Sequence, residues 1–255
     1  MLVPDVDVVA RLRAAGCVFA EDEARLLVAA AGSAEELAEL TARRVAGLPL
    51  EHVLGWVEFC GLRVVVGPGV FVPRRRTEFL VRVAVGVVGP GSVVVDLCCG
   101  SGAVGAAVVD RVPGVVLHAV DVDPVAVRCA RRNVGAGRVY EGDLYEPLPV
   151  SLVGRVDVLV ANAPYVPTGA IGLMPPEARE HEPLAALDGG ADGLDVQRRV
   201  IAGAARWLAP GGRLLVETGA VQAEGTVEAF ARGGLRAEVV SDEGLGATVV
   251  VGSLG

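Results

Sequence analysis

The sequence contains no lysine; all 23 basic residues are arginine. That absence removes Schiff-base chemistry and a lysine general base from the mechanisms available to it. Also missing is any uninterrupted apolar run of the roughly 18–20 residues a membrane-spanning helix needs. Gly, Pro, Arg or Asp breaks each Val-rich segment, so no membrane span is expected. Ahead of Arg11 the chain carries the acids Asp5 and Asp7 where an export signal would carry positive charge. The expected location is therefore the cytoplasm. The five cysteines, Cys17, Cys60, Cys98, Cys99 and Cys129, are odd in number and spaced for neither a zinc cluster nor a disulfide framework. Buried, reduced thiols and no metal are expected. With a net charge of −8 the chain lacks the basic excess that broad, sequence-independent nucleic-acid binding relies on.

What is present is the composition of a globular protein, 52% hydrophobic and 21% charged over 255 residues, long enough for one or two domains. Residues 1–47 read as a small helical unit with helices at 6–15, 21–31 and 34–46, the last capped by Ser33. Residues 48–76 change texture: 56–60 and 62–66 flank Gly61 as a β-hairpin, and Arg74-Arg75-Arg76 follows Pro73. Thr77 is then expected to cap a helix over 78–88. Residues 77–255 alternate Val-rich strands, at 93–97, 115–121, 138–141, 156–161, 212–217, 236–240 and 247–252, with helices at 103–111, 124–133, 194–208 and 221–232. Continuous apolar strands between amphipathic helices predict an α/β fold, a seven-stranded, mostly parallel sheet covered on both faces. Only residues 241–246 join the last two strands, too few for a parallel crossover, so that pair is expected to be antiparallel.

Ligands of open α/β sheets sit at the carboxyl ends of the strands, and four successive strand ends here carry polar or glycine-rich residues. The first is Asp96-Leu97-Cys98-Cys99-Gly100-Ser101-Gly102-Ala103-Val104-Gly105, whose glycines let backbone approach a ligand. Alone it fits a dinucleotide as well as S-adenosylmethionine. The second, Asp121-Val122-Asp123-Pro124, places a carboxylate where ribose hydroxyls can be accepted, and Pro124 also serves simply as a first helical residue. The third, Glu141-Gly142-Asp143-Leu144, offers a carboxylate to an exocyclic amine and a backbone N–H to a ring nitrogen. The fourth is Asn162-Ala163-Pro164-Tyr165, which is a Pro-containing turn and also an amide, a free carbonyl and a flat ring at one point. In this order the four ends suit S-adenosylmethionine together with an amino-group acceptor. A nicotinamide-dependent oxidoreductase rests on the glycine pattern alone.

Over nearly its whole length the sequence resembles the glutamine N5-methyltransferases that modify peptide-chain release factors. The likeness lies in Arg43-Arg44, Pro49-Leu50-Glu51-His52-Val53-Leu54-Gly55, Glu58-Phe59-Cys60-Gly61-Leu62, Pro68-Gly69-Val70-Phe71-Val72-Pro73-Arg74 and Thr77-Glu78. It continues through Asp96, Gly100-Ser101-Gly102, Gly142-Asp143-Leu144-Tyr145-Glu146-Pro147-Leu148, Asn162, Pro164-Tyr165, Glu182-Pro183 and Ala186-Leu187-Asp188-Gly189-Gly190-Ala191-Asp192-Gly193-Leu194. The resemblance implies a Rossmann-like class I methyltransferase fold, S-adenosylmethionine as methyl donor, a release factor as protein partner, and a monomer. It implies cofactor binding by Arg74, Thr77, Asp96, Gly100, Ser101, Gly102, Asp121, Val122, Asp143, Leu144 and Asn162, and catalysis by Asn162, Ala163, Pro164 and Tyr165. Residues 1–47 would dock the substrate, with 48–76 as a hairpin linker to the methyltransferase domain. The chain departs from the family at Ala163, usually a second Pro, and at Arg75 and Arg76, usually Pro and an acid; its helical part is also shorter. A ribosomal-protein glutamine, a nucleobase or a small-molecule amine stays open as acceptor.

The expected chemistry follows from the weakness of an amide nitrogen as a nucleophile. Two acceptors, the Asn162 side-chain oxygen and the Ala163 carbonyl, would take its N–H bonds and turn its lone pair toward a sulfonium methyl. Tyr165 would pack against the flat amide, and the long, Pro-containing stretch 166–191 would form part of the substrate groove. His181 and Glu182 within it are expected to anchor the loop and not to act as acid or base.

Overall fold

The computed structural model describes residues 6–254. Residues 1–5 and 255, which carry part of the leader reading and the two ends of the domain scheme, lie outside the described residues. Three N-terminal helices, α1 (Val6–Ala14), α2 (Ala20–Ala30) and α3 (Ala34–Val45), lie close to their expected bounds. Ser33 caps α3 by accepting from the Glu36 N–H at 3.1 Å, and the Glu36 carboxylate returns the favour to the Gly32 N–H at 2.7 Å. A fourth helix, α4 (Leu50–Leu54), falls in the stretch read as hairpin. Five residues are too few to display a helical period, and its boundaries are set by Pro49 and by Gly55 in the left-handed region. Leu12, Ala24, Leu27 and Val53 bury one small cluster from these helices.

The hairpin β1 (Trp56–Phe59) and β2 (Leu62–Val65) is antiparallel as expected. Thr77 does not cap the next helix. The chain enters α5 (Glu78–Val85) through a 3-10 turn, Arg75–Thr77, and Thr77 is already helical, with its hydroxyl engaged elsewhere. Helix α5 stops at Gly86, short of residue 88. Beyond it come β3 (Val93–Leu97), α6 (Ala103–Arg111), β4 (Val116–Asp121), α7 (Pro124–Asn133), β5 (Arg138–Glu141) and β6 (Val156–Ala161). A short α8 (Pro176–His181) lies in the following loop, and α9 (Asp195–Trp207), β7 (Leu208–Thr218), α10 (Ala223–Arg232), β8 (Leu235–Asp242) and β9 (Ala247–Leu254) complete the chain. Strand β7 begins before the expected residue 212 because a register shift lets Leu208 pair with Val156.

The seven strands are ordered β5-β4-β3-β6-β7-β9-β8. All neighbours from β5 to β7 are parallel, and β9 pairs antiparallel with both β7 and β8. Alternate residues feed the two faces: Val94, Ala119 and Val160 join a core with α5, α6 and α7, while Val95, Leu97 and Val120 join one with α9 and α10. Strand order reverses between β3 and β6, so the carboxyl ends of β5, β4, β3 and β6 stand side by side at the switch point.

Candidate active site

A cavity of about 300 Å³ opens at that switch point. Its floor is the turn after β3, where Cys98, Gly100 and Gly102 all take positive φ. Gly102 is obligatory by packing as well as by its φ of +77°, since a Cβ there would stand 2.7 Å from Val134 and 3.2 Å from Ala130. At Gly100 a Cβ would meet nothing within 4 Å, which leaves open space above the turn. Ser101 lines the cavity with its hydroxyl buried and without a hydrogen-bond partner, a polar group prepared for a ligand. Although part of Cys98 stays open to the cavity, desolvation of its sulfur and then the nearby Asp121, Asp96 and Asp143 push its thiol up, as burial does that of Cys99, so neither is poised as a nucleophile. Cys17, Cys60 and Cys98 are only half-buried, against the expectation of buried thiols; Cys99 and Cys129 are buried, and all five are free.

The acids around the turn are held by main chain. Asp121 accepts from the Gly100 N–H at 2.8 Å and the Asp123 N–H at 2.9 Å, one on each oxygen. Each oxygen retains a lone pair for a hydroxyl. Asp96 accepts from the Gly105 N–H at 3.0 Å and is almost fully enclosed; burial, with Asp121 adding to it, pushes its carboxyl up to about 7. Asp143 and Leu144 line the next side, the latter at a φ of +49°, and the exposed Val122 supplies an apolar edge. Asp143 is not free in this state: Arg199, on α9, donates to it at 2.5 Å.

At the other end stand Asn162, Ala163, Pro164 and Tyr165, all lining the same cavity. Ala163 lies two residues beyond Ala161, the last paired residue of β6. The Asn162 amide donates to the Thr77 hydroxyl at 3.3 Å. The Tyr165 hydroxyl donates to Glu217 at 3.1 Å, and Arg76 stacks its guanidinium 5.6 Å from the Tyr165 ring while lying 3.6 Å from the same carboxylate. Glu217 is buried at the end of β7, and burial raises its carboxyl against the lowering effect of Arg76 and Tyr165. The ring of Tyr165 thus faces the cavity while its hydroxyl is committed behind it.

The stretch after Tyr165 folds back over the mouth. Gly193, at a φ of +79°, passes so close that a Cβ would stand 2.4 Å from the Tyr165 carbonyl, and Gln222 donates to that carbonyl at 3.0 Å. Glu182 is a buried anchor: it accepts from the Val72 N–H at 3.2 Å and from Arg74 at 2.6 Å. Arg74 in turn stacks on Phe71, 4.8 Å away, and both line the cavity. Arg44 is buried between Glu23 at 2.6 Å and Glu177 at 2.7 Å, tying α2 and α3 to α8.

The structure therefore gathers Arg74, Thr77, Asp96, Gly100, Ser101, Asp121, Val122, Asp143, Leu144 and residues 162–165 around one cavity, with Gly102 packed behind its floor on α7. Sequence reasoning missed Glu217, Gln222 and Arg199. Glu217 carried one legible signal, an acid closing a strand that otherwise reads as buried. Among the described residues no group of three metal-ligating side chains could hold an ion.

The family model described as "Methyltransferase small domain" matches residues 61–173. A release factor glutamine methyltransferase from Geobacter sulfurreducens is 42% identical over 78% of this chain and 72% of its own length. A 4-amino-L-phenylalanine/4-methylamino-L-phenylalanine methyltransferase from Streptomyces pristinaespiralis is 39% identical over 71% of this chain and 64% of its own. Among solved structures, a methyltransferase from Pyrococcus furiosus superposes with a TM-score of 0.58 at 17% identity, covering 76% of this chain and 90% of that one, a likeness of fold.

Proposed function

The chain belongs to the release factor glutamine methyltransferase family, and we infer that it methylates the side-chain amide nitrogen of a glutamine in a peptide chain release factor, with S-adenosylmethionine as donor. The observation that carries this reading is the placement of the glycine turn and Asn162-Ala163-Pro164-Tyr165 on one cavity of about 300 Å³. The residues fit the donor: an unpartnered buried hydroxyl at Ser101, open space above Gly100, and carboxylates at Asp121 and Asp143 for hydroxyl and amine groups.

When bound, S-adenosylmethionine supplies an electrophilic methyl whose sulfur keeps the electrons of the breaking C–S bond. The protein's task is to make the amide nitrogen reactive, because its lone pair is delocalised into the carbonyl. Asn162 Oδ1 and the Ala163 carbonyl would each accept one N–H, turning the lone pair out of conjugation and toward the methyl. As the N–C bond forms, positive charge grows on nitrogen, and the two acceptors stabilise it. Alignment of this kind contributes up to about 7–11 kcal/mol in favourable cases. The surplus proton leaves to water, since no base in the cavity is required to remove it beforehand. The Tyr165 ring, fixed by Glu217 and Arg76, forms a flat wall for the amide.

Substrate docking is assigned to the helical unit 1–47, joined through 48–76 to the catalytic unit 77–255. Val18 and Phe19 support this, being 84% and 68% exposed between α1 and α2, as does the Arg44–Glu177 contact to the loop over the mouth. Phe19→Ser is expected to raise KM for an intact release factor and to leave cofactor affinity unchanged; an unaltered KM would remove that surface from docking.

The deciding assay is labelled methyl transfer to purified release factors, with the glutamine of their Gly-Gly-Gln loop replaced as control. Transfer that disappears with the glutamine is expected. Transfer to 4-amino-L-phenylalanine and not to release factors would move the acceptor to an aryl amine.

A further inference from the structure

The stretch after Tyr165 walls the cavity with Met174, Pro183 and Ala186. Its base is closed by main chain: the Val166 N–H donates to the Leu187 carbonyl at 3.0 Å, and the Thr168 N–H to that of Gly190 at 2.9 Å. Above that base apolar burial gives out. Between Thr168 and Ala186 two residues are buried, Ala178 and Glu182, while Leu173 and Leu184 are exposed. A segment with so few buried apolar contacts sits at the low end of local stability. Its position therefore depends on the polar groups that tie it down.

Two arginines supply such ties, and neither belongs to the seven-stranded sheet. Arg74 pairs with Glu182 at 2.6 Å. Arg44, on α3, lies 2.7 Å from Glu177, on α8. The Arg44 end of this second pair is fixed in place. Its side chain is 6% exposed, it forks onto Glu23 of α2 at 2.6 and 3.2 Å, and Nη1 also donates to the Leu48 carbonyl at 3.1 Å. Glu23 already supplies Arg44 with a counter-charge, so Glu177 is not needed to neutralise a buried cation. The Glu177 side chain is 47% exposed and does not line the cavity. Arg44 is thus a rigid post, and Glu177 hangs the loop on it.

We propose that Glu177 is a positioning residue for the acceptor end of the cavity. Held on Arg44, it fixes α8, and with it the wall formed by Met174, Pro183 and Ala186 beside Asn162-Ala163-Pro164-Tyr165. The helices α1 to α3 then have two separable tasks. The surface at Val18 and Phe19 receives the macromolecule, while Arg44 holds the wall against which any acceptor is aligned. This rests on the acceptor reading of that end of the cavity and adds to it a residue outside the cavity itself.

The test compares Glu177→Ala, Glu177→Gln and Phe19→Ser on two acceptors, an intact release factor and a Gly-Gly-Gln peptide too short to reach the helices. Misplacing a reacting group by about 1 Å can cost on the order of 10²-fold. A loosened wall should cost less, and Glu177→Ala is expected to lower kcat/KM about tenfold on both acceptors. Glu177→Gln keeps the shape without the charge and should lose about threefold. On the intact factor Glu177→Ala should act on kcat and Phe19→Ser on KM. S-adenosylmethionine affinity by calorimetry and the melting temperature should stay at their wild-type values, because losing a half-exposed pair has little effect on global stability. A loss with Glu177→Ala confined to the KM of the intact factor would make the pair part of docking and overturn the proposal. So would cofactor affinity lost in step with kcat.

The wall is also readable without any acceptor. Amides of residues 170–181 are expected to exchange hydrogen about threefold faster or more in Glu177→Ala than in the wild type, with those of β3 and β6 unchanged. Equal exchange in the two proteins would contradict the tie whatever the protein methylates. Faster exchange in a protein whose wild type methylates neither acceptor would uphold the tie and overturn the function proposed above.

Discussion

The two ends of the cavity are built by different means. Around the glycine turn, two of the cavity-lining acids are gripped by main-chain N–H groups: Gly100 and Asp123 hold Asp121, and Gly105 holds Asp96, while Asp143 is held by Arg199. Around Asn162 and Tyr165 the grip comes from side chains far away in sequence, Thr77, Arg76, Glu217 and Gln222. A main-chain grip survives most substitutions because every residue supplies the same N–H, and it needs only glycines in fixed places. A side-chain grip is particular to the residues that make it. On the function proposed above, the first end would hold the methyl donor and the second would choose the acceptor.

The contrast can be broken from either side. Asn162→Ala is expected to cost on the order of 10²–10³ in kcat with cofactor affinity intact, and near-normal turnover would erase the distinction between the ends. Gly102→Val should act on the opposite end. Its side chain would collide with Val134 and Ala130 at a positive φ, so calorimetry should show S-adenosylmethionine affinity weakened by roughly tenfold or more. Thermal unfolding should report destabilisation of about 1–3 kcal/mol; wild-type values in both would show the turn to be plastic.

Proton linkage sharpens the same contrast. The Asp96 carboxyl sits near 7, above its ordinary value, because of burial and the neighbouring Asp121. A cationic ligand in the cavity favours its ionised form, so binding below pH 7 releases a proton. Affinity should therefore fall as pH drops from 7 to 6, by at most about tenfold. In the ligand-free protein the sign reverses. The folded state holds a proton that the unfolded state gives up, so the stability contributed by Asp96 declines between about pH 4 and 7 and is level above. Asp96→Asn should abolish both trends, and calorimetry in buffers of different ionisation enthalpy reads the proton directly. The smallest effect is expected at Arg199→Ala. Its ion pair with Asp143 is exposed on both sides, so cofactor affinity should change by no more than about fivefold and lose part of its salt dependence.

The fold was legible because parallel strands buried on both faces write themselves as Val-rich runs, such as Val156–Ala161, and because short connections restrict pairing, as at residues 241–246. The glycine turn and residues 162–165 were legible because each is contiguous. The contact between Asn162 and Thr77 was not, since the two lie 85 positions apart and meet only after the sheet forms. Thr77 misled for a related reason. A Thr before a Glu-led apolar helix has the appearance of a cap, whereas here Thr77 is already helical and its hydroxyl accepts from Asn162, just beyond β6. Helix α4 escaped notice through brevity alone.

The central claim is that two oxygens at the fourth strand end receive the N–H bonds of an unreactive amide. The most direct test is a crystal structure with S-adenosylhomocysteine and a Gly-Gly-Gln peptide of the release factor bound together. The glutamine nitrogen is predicted to lie about 2.7–3.2 Å from both Asn162 Oδ1 and the Ala163 carbonyl. A glutamine held by other groups, with the Asn162 oxygen turned toward Thr77, would contradict it.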